Sequence, residues 1–427
     1  MPSFSLRRLM KWPKADLLDY SLVSSVILVS GSLYYSTVLN NVWLLFILVI
    51  ALLKLATCRV RRSQLTTPVL FSLMALVIIS LNSNVLLTSW AVFVARMALA
   101  ICIVLCIPFE RFVGVFIKVV TFLAAASLLY LPLVPLGLRS PFPALETLID
   151  ARFDNFILFA VNSEYYAYSL MRNSGIFWEP GAFQFFINTA LLVGAIYSRL
   201  DRKTMVILLV ALATTQSTTG YLVALLTIPI FFAKQGISVT LKLKSLLPKV
   251  AAFGLVVASV LVLGRSVIEE TVFKKLSFDA IAAAPFSNGS LVSRINDHIL
   301  DWVIFSGNFL NGVGYGNLSM RDIMGPALFG VAYDLFPPTG ADGLLLLLAQ
   351  VGISGILLIT PLLFPRFLAG FSPISRVLYC LAMIFLYSTE NFTAYLIFNV
   401  MLLYGLQRLA QHGKHPISAQ STGGVPV

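Results

Sequence analysis

Two short segments carry residue types that could do chemistry together. The first is Arg172-Asn-Ser-Gly-Ile-Phe-Trp178-Glu179-Pro-Gly-Ala-Phe-Gln184, which sets a guanidinium and a carboxylate just ahead of an apolar run. A guanidinium fork matches phosphate or carboxylate. Pro180 suits the first turn of a helix, where its missing N–H costs nothing. Glu179 would then sit at the positive end of the helix dipole, which favours the ionised form and so a base. Two plainer readings stand beside these: Glu179 as a helix cap, and Arg172 as an interfacial side chain snorkelling toward head groups. Charges at such a position are costly and call for a reason.

The second segment is Ser290-Leu-Val-Ser-Arg294-Ile-Asn-Asp297-His298-Ile-Leu-Asp301-Trp302. Arg294, Asp297, His298 and Asp301 fall at i, i+3, i+4 and i+7, so they share one helix face. That face is either solvated with local ion pairs, or a polar wall turned toward a cleft. Downstream, Asn311-Gly-Val-Gly314-Tyr-Gly316-Asn317 has glycines at alternate positions. Such a backbone makes an ordinary turn, or brings its N–H groups close to a phosphate or sugar. Asp342 follows Pro337-Pro-Thr-Gly-Ala and is placed at the N-terminus of a strongly apolar helix.

These residues belong to a chain of 427 residues that is 59% hydrophobic and 11% charged, with mean hydropathy +0.91. A soluble domain carries about 25% charged residues, so the composition indicates a polytopic membrane protein. Apolar runs predict helices near 20–38, 41–57, 68–84, 86–107, 112–136, 181–198, 205–216, 219–233, 250–265, 342–364, 376–389 and 392–407. With about 20 residues needed per span, this is an all-α single membrane domain of about twelve helices. The pair 205–216 and 219–233 is short and reads as one broken helix or a re-entrant hairpin. The first apolar run follows Arg7, Arg8, Lys11 and Lys14 without a small-residue cleavage site, so it reads as a signal anchor.

Most of the 30 Lys and Arg fall on the side of the N-terminus, and most of the 18 Asp and Glu on the other. The positive-inside rule makes the first side cytoplasmic and puts both termini there. The net charge of +12 then reflects topology and anionic lipid; no basic stripe with interleaved aromatics points to nucleic acid. Two long connections, 137–180 and 266–341, lie outside, and long ordered loops are usually functional. In the first, the charged and apolar pattern of 143–160 predicts an amphipathic surface helix or a lid packed on the bundle. Further polar residues at outer helix ends are Thr214–Gly220, Glu390 and Asn391, whereas Arg96 sits inside a predicted span with no partner assignable. Cys58, Cys102, Cys106 and Cys380 offer no external disulfide framework. No phosphate-binding GxxxxGK[ST] loop or dinucleotide fingerprint occurs, so chemistry would act outside on an already activated substrate.

Arg172-x-x-Gly-Ile-Phe-x-Glu-Pro-Gly resembles the motif of bacterial oligosaccharide repeat-unit polymerases, the Wzy-type O-antigen polymerases. So do Arg294…Trp302…Gly312-Val-Gly-Tyr-Gly316 and Asp342-Gly-Leu…Gln350-Val-Gly-x-x-Gly355, over roughly 165–360. The resemblance implies a GT-C-like fold in the bacterial inner membrane and a metal- and cofactor-independent glycosyltransferase. Its donor would be a chain on undecaprenyl diphosphate, its acceptor a new lipid-linked repeat unit, and a chain-length regulator a possible partner. Arg172 and Arg294 would handle the diphosphate and glycan. Trp178, Gln184, His298, Gly314 and Gly316 are further candidate substrate contacts. Among carboxylates, Glu179 ranks first as the base, then Asp342, then Asp297. The related O-antigen ligases carry a His-Asn pair where this chain has Ala341-Asp342, which argues against a ligase, although His298 keeps that alternative open. A non-enzymatic flippase for lipid-linked glycan is the other; no internal repeat supports alternating access.

Overall fold

The computed structural model describes residues 16–35, 42–58, 60, 62–134, 136, 140–146, 152–162, 172–197, 200–234, 289–330, 342–365 and 368–412, with 83, 369 and 370 excepted. In chain order the helices are α1 (Leu17–Leu28), α2 (Val42–Thr57), α3 (Arg62–Ser80), α4 (Leu87–Cys106), α5 (Phe109–Tyr130), α6 (Pro180–Tyr197), α7 (Arg202–Thr215) and α8 (Thr218–Lys234). They continue as α9 (Gly289–Gly307), α10 (Ser319–Phe329), α11 (Gly343–Val351), α12 (Gly355–Leu363), α13 (Pro373–Ser388) and α14 (Leu396–His412).

The protein is a mostly helical membrane protein. Among the described residues, four helical segments are long and apolar enough to cross a bilayer: Leu87–Cys106, Phe109–Leu133, Pro180–Tyr197 and Gly343–Leu363. Six shorter apolar helices accompany them among the described residues. The helix expected at 250–265 lies outside the described residues, as do 266–288 and 331–341 of the second long loop.

Local sequence explains where helices start. Asp16 and Asp19 form a reciprocal capping box on α1. Asp201, Ser372 and Asp342 each accept a backbone N–H at the start of α7, α13 and α11. The pair at 205–216 and 219–233 is two helices, α7 and α8, parted at Gln216 and Ser217. Gln216 ends α7 in the left-handed region (φ 51°). α7 then packs on α5 and α6, while α8 packs on α6 and α13.

α6 is the hub of the bundle. Every residue from Gly181 to Ile196 is buried, as expected of a helix apolar on all sides. Phe183, Phe185 and Phe186 join Phe177 and Phe392 in a ring stack at its N-terminal end. At the other end of the bundle, Lys54 is paired with both Asp16 and Asp19, and Arg111 lies 3.1 Å from Asp19. These pairs tie α1, α2 and α5 together.

The first long loop departs from the expected amphipathic helix. Its described part is a three-stranded antiparallel sheet: β1 (Leu145–Glu146), β2 (Arg152–Asn155) and β3 (Ala160–Asn162). Phe153 and Asn155 turn inward while Arg152 faces out, the period of a strand. The spacing of Phe153, Phe156 and Phe159 imitates a helix, but Asn155 closes a side-chain turn on Ile157 N–H, with Ile157 at φ 66°. The sheet packs Leu145, Phe153 and Ala160 on Leu33, against Tyr34 and Trp178. It therefore sits as a cap beside the segment that carries Glu179. An all-α description is corrected to α with this small sheet.

The apolar run at 342–364 is two helices with a 3-10 turn, Gly352–Ser354, between them. Gly352 has φ 70°, which favours glycine. The Gly312–Gly316 loop fits into this break. Val313 and Gly314 N–H donate to the carbonyls of Ala349 (3.0 Å) and Gln350 (2.9 Å), which would otherwise be orphaned at the helix end.

Candidate functional site

Four elements bring the charged residues together. The Arg172–Glu179 segment is held in place by backbone bonds. Asn173 N–H donates to Thr214 O (2.9 Å), Leu33 N–H to Ile176 O (3.0 Å) and Ala160 N–H to Gly175 O (2.8 Å). The Asn173 amide also donates to the Ser127 and Thr214 hydroxyls, each at 2.9 Å. This lattice presents Glu179 at the mouth of α6, where its carbonyl accepts from Phe183 N–H.

The Glu179 side chain faces α9. Its Oε1 accepts from the Trp178 indole (3.2 Å) and its Oε2 lies 3.9 Å from the Arg294 guanidinium. Trp178 is itself stacked against Phe392 and Tyr395, so the indole is a fixed donor. Arg294 donates to Glu390 Oε1 at 3.1 Å. Glu390 lies in the turn between α13 and α14 and is buried.

Two glycines make this convergence possible. A methyl on Gly181 would overlap Glu390 Oε1 and come within 3.2 Å of the Arg294 guanidinium. One on Gly343 would lie 2.8 Å from Tyr387 O and 3.0 Å from Glu390 O. Each glycine directly follows the start of a helix, in Glu179-Pro-Gly181 and Asp342-Gly343. The N-termini of α6 and α11 thus close on the Glu390 turn from two sides.

The two carboxyls differ in charge state. Burial pushes Glu390 well above the usual carboxylate range, and the neighbouring negative charge of Glu179 adds to this; Arg294 opposes it without prevailing. Burial works on Glu179 too, but the hydrogen bond from Glu390 and the charge of Arg294 outweigh it and hold Glu179 below its ordinary value. The Glu179 side chain keeps 36% exposure against 3% for Glu390, so water tempers burial for Glu179 alone. The two shifts thus run in opposite directions, Glu390 toward its neutral form and Glu179 toward its ionised form.

Arg172 closes the other flank. Its Nε donates to Thr215 O (3.1 Å), with a longer bond from a terminal nitrogen to Gln216 O (3.4 Å). It caps the carbonyl end of α7, a favourable place for a cation, and neither plain snorkelling nor lipid contact describes it. Burial pushes it below the usual guanidinium value, Glu179 offsets this, and Arg294 repels it. Two guanidiniums thus stand against one carboxylate held toward ionisation and one carboxyl pushed toward its neutral form, which biases the cluster toward positive charge.

α9 connects this cluster to a second one. His298 Nδ1 lies 2.8 Å from Arg294 O, so it carries the hydrogen, because a carbonyl can only accept. Its Nε2 faces Asp342 Oδ2 at 3.4 Å, and Asp342 Oδ1 accepts the Leu345 N–H as the cap of α11. Burial raises the Asp342 pKa, and His298 partly counters it. Asp297 and Asp301 point the other way, into the protein, toward the buried Arg321 of α10. Arg321 bonds Asp297 and lies 3.3 Å from Asp301. Burial pushes Asp301 up to about 7; Arg321 counters this in part, and the negative charges of Asp297 and Asp342 add to it.

The expected site residues therefore separate. Arg172, Trp178, Glu179 and Arg294 meet, with His298 and Asp342 adjoining through the Arg294 carbonyl. Asp297 is a buried ion-pair partner of Arg321, which removes it from the candidate bases. Gln184 is fully buried below the rim, its Oε1 accepting from Asn188 (2.8 Å), so it is a core residue and not a surface contact. Gly312 and Gly314 use their N–H groups on Asn308 O (2.8 Å) and Gln350 O (2.9 Å). A methyl on Gly314 would lie 2.7 Å from the Asn84 backbone, and one on Gly316 would strike Ser89. The expected phosphate cradle is thus a packing joint. A cleft of about 370 Å³ lined by Asn84–Leu86 and Gly316–Leu318 opens beside it, away from the charged cluster.

The sequence placed Glu390 among the polar residues at outer helix ends, without a catalytic or binding role. Its signal was the polar Ser388-Thr-Glu-Asn391 interruption between two apolar helices. Arg96, inside α4, bonds Ala394 O and lies 5.8 Å from the Tyr395 ring, so it pins the same turn. No protein-family model, no curated protein and no solved structure matches this chain.

Proposed function

We propose that the protein is a GT-C-like glycosyltransferase of the bacterial inner membrane that polymerises undecaprenyl-diphosphate-linked oligosaccharide repeat units at the periplasmic face. The observation that carries this reading is the placement of one part-exposed carboxylate, Glu179, 3.9 Å from the Arg294 guanidinium, with the charge of Arg172 also acting on it.

The chemistry needs those groups. The acceptor hydroxyl oxygen forms a bond to the anomeric carbon of the donor. The bond from that carbon to the lipid diphosphate breaks, and its electron pair leaves with the diphosphate. Glu179 takes the hydroxyl proton and later releases it to water. Arg294 and Arg172 stabilise the charge that grows on the diphosphate, the role in which preorganised donors matter most. Their net positive balance also favours an anionic lipid over a neutral one. Glycan chain, carrier and repeat unit would meet at the rim of α6, α9 and the Glu390 turn, with the β1–β3 sheet alongside. The substrates supply the activated bond, so no cofactor enters the scheme, and chain length would be set by a partner.

The test is a reconstitution. Purified protein given the lipid-linked repeat unit as sole substrate should produce a ladder of longer glycans. Product only on addition of a different acceptor would indicate a ligase. No product in vitro, with loss of all surface repeat units in a deletion strain, would indicate a flippase; a deletion that leaves single units on the surface anchor supports polymerisation.

A further inference from the structure

We propose that Glu390 is a positioning residue that hands Glu179 its hydrogen bond, so that the buried carboxyl aims and charges the exposed one. This rests on the reading of Glu179 as the base. Three observations carry it. Glu390 is enclosed at 3% exposure while Glu179 keeps 36%, so only Glu179 can reach a hydroxyl. Both carboxyls converge on the same Arg294 guanidinium, at 3.1 and 3.9 Å. And Gly181 leaves out the one methyl that would push Glu390 away from that position.

Arg294 lies against both carboxyls, Arg172 is engaged by the carbonyls of Thr215 and Gln216, and two carboxylates this close repel each other in an enclosed turn, so the pair retains a proton. The groups facing it are Arg172, Arg294 and Tyr395, in addition to Glu179 itself. Of the two carboxyls, the enclosed one loses more by ionising, and its hydroxyl then donates to Glu179. When Glu179 accepts the proton of the attacking hydroxyl, Glu390 keeps its own. The pair passes from one proton to two, and returns to one when Glu179 releases its proton to water. At high pH the second ionisation leaves two adjacent carboxylates, which repel each other and the diphosphate. Activity should therefore fall on the alkaline side as Glu390 ionises, and on the acid side as Glu179 takes up a proton.

The experiment pairs a pH–rate profile of ladder formation with infrared difference spectra of the purified protein. Glu390→Gln keeps a donor to Glu179 but cannot ionise. It is expected to retain more of the neutral-pH rate than Glu390→Ala does and to lose the alkaline fall. Glu390→Ala removes the donor and is expected to lower the rate by about tenfold to a hundredfold, the range of a mis-set general base, with the acid limb moved to higher pH. At neutral pH the wild type should show a protonated-carboxyl C=O band that Glu390→Gln removes. An unchanged alkaline limb in Glu390→Gln, or a band removed by Glu179→Gln instead, overturns the assignment. The spectrum does not depend on turnover, so it decides the protonation of Glu390 even where the wild type makes no ladder and the polymerase reading itself fails.

Discussion

Arg294→Ala tests the site most directly. The guanidinium lies 3.9 Å from Glu179 Oε2 and 3.1 Å from Glu390 Oε1. At an effective dielectric near 20, the gross attraction to the ionised Glu179 is about 4 kcal/mol. The Arg294 side chain keeps 26% exposure and Glu179 36%, so screening leaves a fraction of that as net stability. Water can solvate Glu179 once the cation is gone, and Glu390 stays protonated, so neither carboxyl is stranded as a buried charge. The folding cost is therefore expected near 1–2 kcal/mol, below the ~3–5 kcal/mol of a fully buried pair. The effect on turnover should be larger. Removing one preorganised donor from a developing anion costs about 10²–10³ in rate. Arg294→Lys keeps the charge but loses the fork, and should fall between wild type and Arg294→Ala. The assay is ladder formation by purified protein at matched amounts, with thermal melting in the same detergent. A ladder within threefold of wild type from a folded Arg294→Ala protein would refute the role given to this guanidinium. A loss of activity matched by complete unfolding would show that the pair is chiefly structural.

Other outcomes follow from the same geometry. Glu179→Gln should lower elongation by about 10²–10⁴ with membrane insertion intact, measured as ladder yield at equal expression. Gly181→Ala places a methyl on Glu390 Oε1; crowding of this kind costs about 1–3 kcal/mol and should impair the ladder, while alanine's better helix propensity would stabilise the protein if the methyl fitted. Asp301, ordinarily near 3.8, is pushed up to about 7 in the fold. The folded state thus holds a proton that the unfolded chain releases, so stability is highest at low pH, declines between about 4 and 7, and levels off above, by up to about 4 kcal/mol. Asp301→Asn should flatten that dependence and melt above the wild type at pH 8. Tyr34→Phe removes a hydroxyl bonded to Asn155 Oδ1 and to Ile157 O (2.7 Å). A loss of about 1 kcal/mol is expected, read as faster amide exchange in the β2–β3 hairpin with the bundle unchanged.

Much of the bundle is legible in the chain because hydropathy and helix caps act locally. Apolar runs locate α2 to α6 and α11 to α14, and Pro180 and Asp342 mark two helix starts. The break at Gly352–Ser354 is not legible, since it depends on a loop from elsewhere satisfying the carbonyls of Ala349 and Gln350. The sheet at 145–162 was hidden by a phenylalanine spacing shared between helix and hairpin. Its strand pattern is decided by Asn155 and by Leu33 and Tyr34, far away in sequence.

At the site, residue type and spacing alone marked Arg172 and Glu179 as charges at a helix mouth and Arg294 as one of four polar residues on a single helix face. They did not establish partners. Whether Asp297 faces a cleft or Arg321, whether Gly314 offers its N–H or has it occupied, and whether Glu390 joins the cluster depend on which helix ends meet. Only packing decides that. The charge of the cluster follows from the same packing, because enclosure in a water-poor turn beside Glu179 drives Glu390 toward its neutral form.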